Sequence, residues 1–149
     1  MRIFIWILFY IFITIQPVHA LNNIEIEDAW ISEAPPTVKI LAGYFTIVNH
    51  TEDPVDLISA QSQAFERIEF HLSKTRDGVA HMQKQESITI PAKSEFSFTP
   101  GAYHLMLFNP MQALKSGDFI QLQLVFSNGD SIDIKAEVKR GDLSGHHNH

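Results

Sequence analysis

Cysteine is absent from all 149 residues. That excludes disulfide staples, zinc–thiolate and iron–sulfur centres, copper sites built on a thiolate, and lipid attachment through cysteine. Basic stretches are missing as well. Eleven Lys and Arg stand against 17 Asp and Glu, for a formal net charge of −6. No patch offers the electrostatic footprint of a nucleic-acid binder, so no nucleic-acid partner is expected. Glycine and proline number seven each, too few for a collagen-like or low-complexity chain. With 45% hydrophobic and 19% charged residues, what remains is the profile of one globular domain.

Long apolar runs are also lacking, with one exception at the start. Arg2 precedes the run Ile3–Ile15, Pro17 breaks it, and Val18-His19-Ala20 ends on a small residue. At about 1.5 Å per residue the run spans about 20 Å, short of the ~30 Å bilayer core. The pattern predicts a signal peptide over 1–20, cleaved after Ala20, with no stable membrane insertion afterwards and export to an oxidising compartment, the bacterial periplasm.

Beyond this leader the chain reads as strands and turns, with a domain expected over 21–140. Candidate strands are Ile24–Trp30, Gly43–Asn49, Val55–Ala60, Arg67–Ser73, Val79–Lys84, Ser87–Ile90, Glu95–Phe98, Tyr103–Phe108, Phe119–Phe126 and Ser131–Val138. Ile120, Leu122, Leu124 and Phe126 form one face by strict alternation, as do Ile68, Phe70 and Leu72. Asn128-Gly129 and Asp77-Gly78 mark hairpin turns, and Gln61–Phe65 reads as a turn rather than a helix. Ten short strands at this spacing predict an all-β sandwich or barrel. The last nine residues, 141–149, are polar and are expected to form a flexible tail ending His146-His147-Asn148-His149.

Four residues stand out by spacing: His71, Met82, His104 and Met106, in the pattern H-x10-M-x21-H-x-M. His104 and Met106 lie two apart on a strand and share a face, while Leu105 and Leu107 face the core. His71 and Met82 flank the turn at Asp77-Gly78. One register sets them directly opposite and the other sets Met82 against Ser73, one diagonal step from His71; both keep the pair on one face. Taken singly, each has a plainer role: Met106 as core filler, His104 as a hydrogen-bonded structural histidine, His71 as a solvated residue. Together, two imidazoles and two thioethers make a soft, neutral donor set that selects Cu(I) over Zn(II), Mg(II) or Ca(II). Lacking a thiolate, such a site should release its metal readily, as delivery requires. Met111 is expected to pack rather than ligate, His81 to face away from Met82, and His50 to sit at a turn.

With these residues in hand, the sequence resembles the periplasmic copper chaperones called PCu(A)C, whose hallmark is the same H-x10-M-x21-H-x-M spacing. Asp28-Ala29-Trp30, Ala34-Pro35-Pro36, Gly43–Asn49, Pro100–Leu107 and Leu114–Asp118 resemble further blocks of that family. The resemblance implies a cupredoxin-like Greek-key β-sandwich holding Cu(I) through His71, Met82, His104 and Met106. It also implies delivery toward the Cu(A) centre of cytochrome c oxidase, to an oxidase subunit or a Sco-like thiol chaperone. Leu72 stands where many members carry Met, and Ser32 where many carry Arg. In the tail, His146, His147 and His149 offer nitrogen donors suited to Cu(II), Ni(II) or Zn(II) as an auxiliary site.

Because a neutral imidazole is the ligand, affinity is expected to weaken in acid while the thioethers stay indifferent. No G-x-S-x-G or H-E-x-x-H pattern occurs, so the expectation is a carrier and not an enzyme. A metal-free interaction or adhesion domain of the cell envelope is the alternative.

Overall fold

The computed structural model describes residues 23–140; the expected signal peptide and the histidine tail lie outside them. Ten strands follow one another: β1 (Ile24–Ser32), β2 (Ile40–Asn49), β3 (Val55–Gln61), β4 (Phe65–Arg76), β5 (Val79–Gln85), β6 (Ile88–Ile90), β7 (Ser94–Phe98), β8 (Tyr103–Pro110), β9 (Phe119–Phe126) and β10 (Ser131–Lys139). They hydrogen-bond in the order β5-β4-β8-β2-β1-β10-β9-β3-β6, with β7 added to β2. Strand β8 slots between β4 and β2, and β1 runs parallel to β10. Such crossovers between strands distant in sequence fold the sheet into the cupredoxin-like β-sandwich.

Alternation explains which side of each strand turns inward. Ile120, Leu122, Leu124 and Phe126 of β9 are buried, and so are Leu105 and Leu107 of β8. Both sets join one core with Leu41, Phe45 and Ile47 of β2 and Phe98 of β7. Phe45 and Phe98 stack with centroids 4.5 Å apart. Gly43 is the small member of this layer. A Cβ there would meet Leu107 Cδ1 at 3.2 Å and Leu105 Cβ at 3.4 Å. The missing side chain therefore lets β8 lie close against β2.

Two local devices matter for the site. The β4–β5 turn places Arg76 opposite Val79, with Asp77 and Gly78 at φ 53° and 75°. Left-handed conformation at both central residues is that of a two-residue hairpin turn, which selects the register that sets Met82 opposite Ser73. The pairing with β5 also carries β4 three residues past Ser73, where alternation alone would end it. In β1, a bulge between Glu27 and Trp30, with Asp28 at φ 52°, inserts an extra residue opposite β2. Past that bulge Trp30 turns outward onto the face of Tyr44, centroids 4.5 Å apart. The second hairpin signal closes differently from the first: Ser127, Asn128 and Gly129 form a three-residue loop, with Gly129 at φ 89°.

Candidate metal centre

Strands β4 and β8 are antiparallel neighbours, and their register sets His71 opposite His104 and Glu69 opposite Met106. On the other flank of β4, Lys84 lies opposite His71 and Met82 opposite Ser73. The four residues singled out by spacing therefore share one outward sheet face, with His71 and His104 at its centre. Met106 is one diagonal step from His71 on one side, and Met82 is one diagonal step from it on the other. Their inward neighbours Leu105 and Leu107 are fully buried, so core packing fixes the strand that presents His104 and Met106.

Outward does not mean solvated. His104 is 5% exposed, and the His71 side chain is 13% exposed. Met106 is half-buried. Met82 differs: it stands on edge strand β5 and is 61% exposed. Three of the residues thus form a sheltered nest, and the fourth lies at its rim.

The ring nitrogens are unequally committed. His104 Nδ1 donates to the Ala102 carbonyl at 3.0 Å, which puts the proton on Nδ1 and leaves a lone pair on Nε2. His71 Nε2 lies 2.9 Å from Glu69 Oε2. A carboxylate can only accept, so Nε2 carries the proton and Nδ1 keeps its lone pair. That Nδ1 is buried and has no hydrogen-bond partner among the described residues. A buried acceptor left unpaired is costly in a finished fold, and it suits a soft cation added later. The ring centroids of His71 and His104 are 6.1 Å apart.

Around Glu69 the polar groups are fully engaged. Arg67 Nε donates to Oε1 at 3.2 Å, and Lys84 Nζ is 3.6 Å from the same oxygen. The Arg67 guanidinium in turn lies 3.7 Å above the Phe108 ring. The His71 hydrogen bond, with Arg67 and Lys84 nearby, holds the Glu69 carboxyl below its ordinary pKa against the opposing effect of burial. Tyr44, part-buried on the same face, has its pKa raised by desolvation and stays neutral.

Among the described residues no three His, Asp or Glu side chains are placed to hold a metal ion. The other expected positions separate cleanly. His81 lies opposite Lys74, on the face away from Met82. His50 follows β2 and sits 3.3 Å from Glu25. Met111 corrects its expectation of packing: it is 66% exposed. Asn109 at φ 49° and Pro110 end β8 and turn the chain off the sheet, so Met111 misses the core. His146, His147 and His149 lie outside the described residues. The four-residue spacing leaves out Glu69, although alternation along the strand already puts Glu69 on the same face as His71.

The chain belongs to the LpqE-like family, described as "Putative lipoprotein LpqE-like", whose profile matches residues 24–138. A curated relative, "Putative lipoprotein Lxx21020" of Leifsonia xyli subsp. xyli, is 28% identical over 83% of this chain and 73% of its own length. Among solved structures, Cu(I)-DR1885 from Deinococcus radiodurans aligns at TM-score 0.66 and 25% identity, covering 84% of this chain and 83% of that one. The copper-free PCuAC domain of PmoF2 aligns at TM-score 0.68 and 25% identity, covering 83% and 95%. Among the described residues no helix is long and apolar enough to cross a membrane.

Proposed function

We propose that this protein is a copper carrier that holds Cu(I) through His71, Met82, His104 and Met106 and hands it to a protein acceptor. The observation that carries the reading is the unpartnered, buried Nδ1 of His71 on the strand face that also bears His104 and Met106. Support comes from the likeness to a domain solved with Cu(I) bound and from the neutral N2S2 donor chemistry. The ion is cargo: this chain's part is to bind it, shelter it from water and release it. His71, His104 and Met106 form the sheltered floor, while Met82 on the edge strand closes the rim. Ligand exchange can begin at the exposed thioether, where an incoming thiolate meets least obstruction.

Export to the periplasm after cleavage at Ala20, and delivery toward the Cu(A) centre through an oxidase subunit or a Sco-like chaperone, complete the proposal. An auxiliary Cu(II) site at His146, His147 and His149 belongs to it as well. Competition titration with a chromogenic Cu(I) chelator tests the central statement. Wild-type protein should withdraw one Cu(I) per chain, and His104→Ala should lose most of that affinity with the fold intact. Unchanged affinity in the variant would remove His104 from the site.

A further inference from the structure

We infer that Glu69 is the positioning residue of this site: it fixes His71 as the Nε2–H tautomer, so that the two histidines offer chemically different nitrogens, Nδ1 of His71 and Nε2 of His104. The inference rests on the copper reading above and extends it to a residue outside the four-ligand pattern.

Three relationships carry it. His71 Nε2 is 2.9 Å from Glu69 Oε2 while His71 Nδ1 has no partner among the described residues, so the hydrogen bond to Glu69 pins the proton on Nε2. Glu69 is itself immobilised: Arg67 holds its other oxygen at 3.2 Å and Lys84 approaches that oxygen at 3.6 Å. Arg67 is braced in turn by its stacking on Phe108 at 3.7 Å, and Phe108 is Arg67's direct cross-strand partner on β8. The register that sets His71 opposite His104 thus also builds the brace that orients His71. A carboxylate on the outer nitrogen of a ligand imidazole fixes its rotamer and raises its basicity. His104 reaches the same end by another route, donating Nδ1–H to its local backbone, which leaves the opposite ring nitrogen free.

The tautomer can be read in metal-free protein by long-range ¹H–¹⁵N correlation of the histidine rings, alongside Cu(I) competition titrations of wild type, Glu69→Ala and Glu69→Gln. Wild-type His71 should carry its proton on Nε2 alone. Glu69→Ala should mix the tautomers and weaken Cu(I) binding about ten- to a hundredfold, the range for lost support of a metal ligand. Glu69→Gln keeps an oxygen that can accept from Nε2–H, and it should retain the tautomer and most of the affinity. A role confined to stability would move the thermal midpoints and leave the tautomer alone.

The inference is overturned by a wild-type His71 protonated on Nδ1, by a Glu69→Ala variant with tautomer and affinity unchanged, or by lost affinity with the tautomer intact. Should Glu69→Ala fail to fold, the wild-type tautomer and Glu69→Gln still decide. A wild-type chain with the wrong tautomer that binds Cu(I) sinks this inference and spares the carrier. A wild-type chain that takes no Cu(I) sinks the carrier whatever its tautomer.

Discussion

His71 and His104 face each other across β4 and β8, two strands separated in the chain by β5, β6 and β7. The ladder that joins them brings two distant imidazoles to one spot on the sheet, and core packing beneath Leu105 and Leu107 holds them there. Replacing Met106 with Ile keeps the bulk of the side chain and removes the sulfur. That variant should fold normally and bind Cu(I) much more weakly in a chelator competition. Retention of wild-type affinity would show that the thioether is packing material.

Met82 allows a sharper separation of ligand from scaffold. At 61% exposure its side chain contributes little to packing, so Met82→Ala should change stability by no more than about 0.5 kcal/mol. The same substitution should lower Cu(I) affinity if the edge-strand sulfur closes the site. Denaturant unfolding and a Cu(I) titration on one preparation read both quantities. Equal affinity in the two proteins would leave Met82 as a surface residue.

Gly43 tests how tightly β8 is held against β2. An added Cβ meets Leu107 Cδ1 at 3.2 Å and Leu105 Cβ at 3.4 Å, so Gly43→Ala requires the Leu107 methyl to give by a few tenths of an ångström. Overpacking of this kind costs about 1–3 kcal/mol, and the crowded leucine sits on the strand that carries His104 and Met106. Denaturant melts should show the loss of stability. A variant as stable as wild type would mean that the layer has slack.

Acid should erode the brace around Glu69. The carboxyl pKa is lowered in the fold, first by the His71 hydrogen bond and then by Arg67 and Lys84. A group with a depressed pKa stabilises the fold above its unfolded value, about 4.3 for Glu. That contribution disappears as pH falls through the ordinary carboxylate range to the lowered value. The stability difference between wild type and Glu69→Gln should therefore be present near neutrality and shrink as pH falls through and below the ordinary carboxylate range. Parallel urea melts of the metal-free proteins across that window check it. A difference constant with pH would contradict the ionic role.

Much of this is legible in the sequence. The ten strands follow from period-two alternation and turn residues, and the shared outward face of His104 and Met106 follows from their spacing. The sequence leaves the β4–β5 register open between two alternatives, because the choice depends on whether Asp77 and Gly78 both adopt left-handed conformations. The β1 bulge was not legible: Asp28 at φ 52° reads as ordinary strand in a sequence, and alternation then sends Trp30 to the wrong side. The exposure of Met111 departs from the packing its hydropathy suggests, because hydropathy says nothing of where a strand ends, and Asn109 and Pro110 end β8 just before that residue. The resemblance implies that His71 and His104 meet at one ion, but their direct cross-strand pairing is not readable from spacing, since it depends on which distant strand slots beside β4. The burial of both rings depends on that same pairing.

X-ray absorption at the copper edge of the Cu(I)-loaded protein tests the central claim most directly, because it counts the atoms around the ion. Two nitrogen and two sulfur neighbours are expected, with one sulfur lost in Met106→Ile and one nitrogen lost in His104→Ala. A first shell of nitrogen and oxygen alone, or a shell unchanged in both variants, would contradict a cargo site on the face of β4, β5 and β8.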